Sequence, residues 1–342
     1  MSNRYSTVKA FKHPDRIAAI REGTIAAPVH IQLILSDLCN QNCGFCCYRD
    51  ESSKEWRELF AENGNHNPNR RIAYEKVIEI LDDCAEMGVR GIELTGGGEP
   101  TIHPQFSQIV AAINARGLKW GIVTNGVRPQ DLSTATWARV SLDASNAVTY
   151  AKIRRVEPEH FKRALATIAI WKPSVSFVVM PDNWREIYEA ALLVKGFGAQ
   201  SFRIRPYQSV DGGALFAEFI DDAMLLSQKA VALADNTFDV DYQLDSELDA
   251  LESGAQDYDR CGFQYFKTWI GADENLYRCC ILSYSPRGLI GSIKGRRFKD
   301  VWREIVPGFA KFNARGCINC RYAGINRAIN EVVDAGPYDA FI

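Results

Sequence analysis

The sequence has no apolar run near the roughly 18 uninterrupted residues of a membrane-spanning helix, and its start, MSNRYSTVKAFKHPDRIAAIREG, lacks the apolar core of a signal peptide. A cytoplasmic protein is expected. Charge of one sign is missing too: 40 Lys and Arg stand against 42 Asp and Glu, a formal net charge of −2 with no long block of either. Neither a nucleic-acid footprint nor a membrane-surface patch is indicated. The five histidines are scattered, so no catalytic triad can be assembled around them. Repeats and low-complexity tracts are absent as well. What remains is an ordinary globular composition, 46% hydrophobic and 24% charged, in 342 residues, a length that suggests roughly two domains.

Cysteine is the residue present in unusual number. The ten cysteines would be kept reduced in the cytoplasm, which favours metal ligation over a disulfide framework. Cys39, Cys43 and Cys46 form C-x3-C-x2-C directly after the apolar run 29–35. A four-iron cubane that receives only three thiolates keeps one iron free for an exogenous ligand. Cys261, Cys279 and the pair Cys317-x2-Cys320 make a second set, enough to saturate a four-iron cluster. The same four thiolates also suit a tetrahedral zinc site, so a non-catalytic zinc-binding module stands as the reading from another class. Cys84 falls on the apolar face of a helical pattern and is expected in the core. Cys47 adjoins Cys46 and is expected to pack beside the metal site or tune it. Cys280 adjoins Cys279 and, in extended chain, would point to the opposite side.

Short β-branched runs at 29–36, 91–95, 118–124, 138–142, 175–180 and 201–205 alternate with helical patterns, as in repeated βα units on a parallel sheet. Val77, Leu81 and Cys84 recur at helical spacing, as do Phe106, Ile109, Val110 and Ile113 ahead of a capping Gly117, and Phe161, Leu165 and Ile168. A long polar segment, 48–71, follows the first cysteines and could serve as a substrate lid. Arg203 and Arg205 lie on the sixth strand, and one of them, Arg205 the weaker candidate, is expected to face inward.

The cysteine triplet, with Phe45 before its last member, resembles the cluster loop of the radical S-adenosylmethionine (radical SAM) superfamily. Further motifs follow in family order: Gly97, Gly98 and Glu99 in TGGGEP, Thr124 and Asn125 in TNG, Ser141 and Asp143 in SLD, and Arg154. The resemblance implies a partial (β/α)6 TIM-like barrel in the α/β class, with chemistry at the C-terminal ends of its strands. It implies that a [4Fe–4S] cluster on the triplet chelates S-adenosylmethionine (SAM). The glycines would let the cosubstrate approach the backbone, Glu99 would bind its amino group, and the polar residues and Arg154 would hold its ribose and carboxylate. The second cysteine set is similar to a twitch domain, a reduced relative of the SPASM domain carrying an auxiliary [4Fe–4S] cluster. One departure is Glu274, where such domains usually place glycine. His103, just after GGGEP, is expected to be structural.

The implied organisation is an N-terminal extension over 1–28, the barrel over 29–213, a helical connector over 214–254, the auxiliary domain over 255–330 and a tail. The implied activity is reductive cleavage of SAM to a 5′-deoxyadenosyl radical that removes a hydrogen atom from a substrate C–H bond, using an external one-electron reductant such as flavodoxin or ferredoxin. Two outcomes follow for a peptide or small-molecule substrate: epimerisation, with Cys280 returning hydrogen to the opposite face, or oxidation through the auxiliary cluster. The 28 residues before the first strand are few for a leader-peptide-binding domain, so a nucleotide or nucleobase substrate remains the alternative.

Overall fold

The computed structural model describes residues 7–49, 70–207, 212–244, 248, 255–317, 320–334 and 336. Its framework is one ten-stranded sheet in the order β10-β9-β8-β1-β2-β3-β4-β5-β6-β7. The first six strands are β1 (His30–Leu33), β2 (Gly91–Leu94), β3 (Lys119–Thr124), β4 (Trp137–Ser141), β5 (Ser174–Val179) and β6 (Ser201–Pro206), all parallel to their neighbours. They are the six sequence-predicted strands, and they form the partial barrel. β7 (Asp239–Tyr242) adds a further parallel strand beside β6, inside the region expected to be helical, where the helix Ile220–Val231 is also found. β8 (Lys267–Ile270) pairs in parallel with β1, and β9 (Asn275–Tyr277) and β10 (Leu289–Ser292) continue outward as antiparallel strands. The second cysteine region is therefore continuous with the barrel wall, next to the strand that carries the first cysteine loop.

The alternation along each strand separates two faces. Ile31, Leu33, Ile92, Leu94, Trp120 and Ile122 are buried with Val77, Ile80, Ile109 and Ile113 of the helices Tyr74–Met87 and Phe106–Ala115. Val140, Val175, Phe177, Phe202 and Ile204 form a second core with the helices Glu159–Trp171 and Ile187–Gly196. Burying each such side chain contributes about 1.5–3 kcal/mol. Gln32, Glu93, Ser141, Ser174, Ser176 and Ser201 have the opposite parity and give the inner face a polar lining. Arg203 and Arg205 are two apart and share that face, so both turn inward, contrary to the expectation of one.

From β1 to β7 a helix is described in each crossover except that from β3 to β4, where 125–136 is irregular and Val127 and Leu132 are the buried apolar side chains. The segment VRPQDLSTAT explains this, since it has a proline and no apolar period. Gly117 ends its helix with a positive φ, as expected, and Cys84 is fully buried. The N-terminal helix Pro14–Glu22 packs through Ile17 against Ile329 and Val333 of the last helix, Ala323–Val333. Among the described residues no helix is long and apolar enough to cross a membrane. Of the polar insertion, 50–69 lie outside the described residues.

A buried charge group fastens β8 to the barrel. Lys267 Nζ lies 2.6 Å from Glu93 Oε2, and His30 Nε2 lies 3.2 Å from the same oxygen. Burial alone would raise the Glu93 pKa, but Lys267 and His30 hold it below the ordinary carboxylate range. A depressed folded-state pKa gives stability that is complete above the unfolded value near 4.5 and lost as pH falls below it. Lys267→Met should cost about 3–5 kcal/mol at pH 7 by leaving the carboxylate unpaired. In urea melts across pH, the wild type should weaken on acidification through this window while the variant changes less.

Candidate active site

The cysteine loop is fastened at both ends before any ligand is considered. Asn42 N and Gly44 N donate to the carbonyls of Arg154 and Ile153, at the C-terminus of the helix Ala147–Arg154. On the entry side, Gly98 N donates to Ser36 O at 2.8 Å and Glu99 N to Leu38 O at 2.9 Å, docking the glycine turn on the residues just before Cys39. A Cβ at Gly98 would stand 1.8 Å from Leu38 O, and one at Gly97 would stand 2.2 Å from Asp37 Oδ1. The glycines therefore also have a packing role: the space a side chain would need is occupied by the protein's own cysteine loop.

Glu99 is buried and joins three of the motifs. Its Oε1 accepts from Thr101 N, Thr101 Oγ1 and Thr124 Oγ1 at 3.1, 2.7 and 2.7 Å, and Oε2 accepts from Asn125 N at 2.8 Å. Burial raises its pKa and these donors oppose the shift. Asn125 Nδ2 then reaches Asn40 Oδ1 at 2.7 Å, tying the third-strand turn to the residue after Cys39. A carboxylate has about four lone-pair sites, so Oε2, with one donor here, retains capacity for an ammonium group.

Arg154 and Asp143, both expected to touch the cosubstrate, pair with each other in the interior. Arg154 Nη1 also donates to Gln41 Oε1 at 2.6 Å, Gln41 Nε2 donates to Tyr150 Oη at 2.8 Å, and the guanidinium lies over the Tyr150 ring at 4.9 Å and the Phe45 ring at 5.8 Å. Asp143 has a left-handed backbone, φ 59°, and its Oδ1 accepts from Val178 N at 2.8 Å, which anchors the end of β4 on β5. Ser141 sits on the inner face with Ser176 Oγ 3.4 Å away. Arg154 Nε is buried without a hydrogen-bond partner. An orphaned donor on a charged group is costly inside a protein. Gln41, Tyr150, Asn40 and Thr101 were missed from sequence, since none belongs to a recognisable motif.

Cys39, Cys43 and Cys46 are electrostatic neighbours along the loop. Burial raises all three thiol pKa values, Cys46 to about 12, so proton release would accompany metal binding. Cys47 is exposed, which corrects the expectation that it packs. Asp37, two residues before Cys39, connects this loop to the second region: Tyr284 Oη donates to its Oδ1 at 2.6 Å and Arg70 Nε lies 2.8 Å from Oδ2. His103 is structural, as expected, with Nδ1 accepting from Gln105 N and Nε2 facing Ile72 O at 3.0 Å.

Cys261, Cys279, Cys317 and Cys320 converge, each within the electrostatic reach of others in the set. Among the described residues no three His, Cys, Asp or Glu close around a single ion. The hairpin between β8 and β9 forms despite the missing glycine, with Glu274 itself left-handed at φ 59° and Asp273 Oδ1 accepting from Asn275 N at 3.2 Å. Cys280 lies in a cluster with Ile34 and Trp269, its Sγ 3.1 Å from Tyr322 Oη.

Residues 33–194 match the family model of the radical SAM superfamily. That segment, which holds the cysteine loop and the TGGGEP, TNG and SLD motifs, is a radical SAM domain, of a superfamily whose members use a [4Fe–4S] cluster and SAM. The chain is 26% identical over 193 residues to a tungsten-containing aldehyde ferredoxin oxidoreductase cofactor-modifying protein of Pyrococcus furiosus, covering 51% of this chain and 50% of the relative. It is 31% identical over 170 residues to a GTP 3′,8-cyclase of Synechocystis, covering 46% and 48%. It thus spans about half the length of these curated relatives. In fold it is similar to SuiB of Streptococcus suis, solved with its precursor peptide SuiA, with a TM-score of 0.61 at 16% identity, covering 88% of this chain and 71% of that one.

Proposed function

We propose that this chain oxidises a C–H centre of a peptide or small molecule by radical SAM chemistry. When bound, the cluster and SAM supply a 5′-deoxyadenosyl radical that removes one hydrogen atom from the substrate. The residues around them bind, orient and exclude water. Glu99 Oε2 and Arg154 Nε are the open acceptor and donor for the amino and carboxylate groups of the cosubstrate. Thr124, Asn125, Ser141 and Asp143 shape the same rim from the ends of β3 and β4, and Phe45 backs Arg154.

The observation that carries the oxidative outcome is the second cysteine set, four thiols that neighbour one another beside the strands next to β1, with Cys261 before β8, Cys279 after β9, and Cys317 and Cys320 ahead of the last helix. An auxiliary cluster there would receive the second electron beside the chamber in which the substrate radical forms. Interior charge favours a peptide or neutral carbon centre over a nucleoside triphosphate. Three basic side chains of the inner wall are already paired: Arg154 with Asp143, Arg203 with Asp241, and Lys267 with Glu93. SuiB, the structural relative with a bound precursor peptide, is in keeping with that preference. The external reductant would be of the flavodoxin or ferredoxin class.

Epimerisation is the second reading, favoured by the Cys280 thiol lying in the barrel-side cluster with Ile34 and Trp269. Turnover of a candidate substrate peptide with SAM and dithionite in deuterated water separates the two. Oxidation predicts product lighter by two hydrogens, no solvent deuterium, and a Cys280→Ala variant retaining at least about a third of the activity. Product of unchanged formula carrying one deuterium, lost about 100-fold in Cys280→Ala, would establish epimerisation instead; removing a catalytic acid–base or donor group costs on this order.

A further inference from the structure

The auxiliary cysteines are surrounded by cations and hydrogen-bond donors that no motif announces. Arg278 immediately precedes Cys279, and its guanidinium lies 3.9 Å from the Phe312 ring centroid, within electrostatic range of Cys261, Cys279 and Cys317. Gln264 Oε1 accepts from its Nη1 and fixes its direction. Arg287 also stands within electrostatic range of Cys317. Its guanidinium lies 6.0 Å from the same Phe312 centroid, and a Cβ at Gly316, the residue before Cys317, would stand 2.6 Å from its Nη2. Glycine there leaves the room that the guanidinium occupies. Tyr258 Oη donates to Cys320 Sγ at 3.4 Å, and Asn326 Nδ2 lies 4.0 Å from that sulfur and 3.4 Å from Tyr258 Oη.

We propose that Arg278 and Arg287, with Tyr258 and Asn326, raise the reduction potential of the auxiliary cluster and so fit it to accept an electron. Reduction adds one negative charge to a group that already bears four thiolates. Fixed positive charge and donors to the sulfurs favour the reduced state more than the oxidised one. Guanidinium groups do not deprotonate in proteins, so both charges persist throughout the usual pH range. Phe309 and Phe312 cover Arg278, at 5.6 and 3.9 Å from its guanidinium carbon, and reduce the screening that water would provide. The inference rests on the reading of Cys261, Cys279, Cys317 and Cys320 as cluster ligands.

The test uses the full chain carrying Cys39→Ala, Cys43→Ala and Cys46→Ala, reconstituted anaerobically so that only the auxiliary cluster forms, and titrated with dithionite under EPR. Arg278→Gln and Arg287→Gln should each disfavour reduction about tenfold, a downward shift of about 59 mV for a one-electron couple. Arg278→Lys should keep most of the wild-type potential, and Tyr258→Phe should shift it downward by a smaller amount. Variants that hold about four irons per chain at an unchanged potential would overturn the inference while leaving the ligand assignment standing. A parent without iron would overturn both. If Arg278→Gln fails to load, Arg287→Gln alone decides, because Arg287 does not adjoin a ligand.

Discussion

Replacing Cys43 by Ala should abolish formation of 5′-deoxyadenosine from SAM and dithionite, and lower the iron content of the reconstituted chain from about eight to about four per molecule. The argument is one of stoichiometry and access. Three thiolates hold three irons of a cubane, so removing one leaves the cluster with two protein ligands and no fixed orientation in the barrel mouth. Cys43 sits between the other two, beside Gln41 and in electrostatic contact with Cys39 and Arg154, so no neighbouring side chain can substitute for it. Cys47→Ala should leave both readings unchanged, because that thiol is exposed. Cys279→Ala should remove the other half of the iron while abortive SAM cleavage persists. Zinc without iron in the parent would sink the enzyme reading and leave a metal-binding module.

The parts of this site that were legible in the sequence are those in which chemistry is local. Cysteine spacing within one loop, the glycines before Glu99, and TNG and SLD at strand ends each depend on a few consecutive residues. The strands were legible too, because a wall buried against helices on one side must repeat its apolar residues at every second position. What escaped is what tertiary packing creates. β7 reads DVDY, too short and too acidic to announce a strand, and it exists because β6 offers an edge to pair with. Tyr284 meets Asp37, and Asp273 meets Arg70 beside it, only after β8 has docked beside β1 and brought the second region against the first loop. The glycines were legible, but their packing against Leu38 and Asp37 was not, because that contact exists only once the cysteine loop has folded onto the turn. Arg278 and Arg287 carry no motif, and only the fold aims them at the auxiliary cysteines.

Asp143→Ala should destabilise the protein by about 3–5 kcal/mol, the usual cost of leaving a buried charge without its partner. Arg154 would then keep Gln41 as its acceptor and the Tyr150 and Phe45 faces, none of which carries a full negative charge. The loss should extend to the cysteine loop, since Asn42 and Gly44 hang on the helix end that Arg154 terminates. A double variant, Asp143→Asn with Arg154→Met, should recover much of the stability, because it removes both buried charges while the amide keeps an acceptor for Val178 N and tolerates the left-handed backbone. Its affinity for SAM should not recover. Arg154 Nε is the buried donor left open in the pair, and a charge-assisted hydrogen bond of about 1.5–3 kcal/mol corresponds to roughly 10–100-fold in affinity. Urea denaturation and calorimetric SAM titration on the reconstituted single and double variants separate the two roles. A double variant that regains stability and binds SAM as the wild type does would reduce Arg154 to a structural residue. One that regains stability and binds weakly assigns it the cosubstrate carboxylate, with Asp143 as the residue that holds it in place.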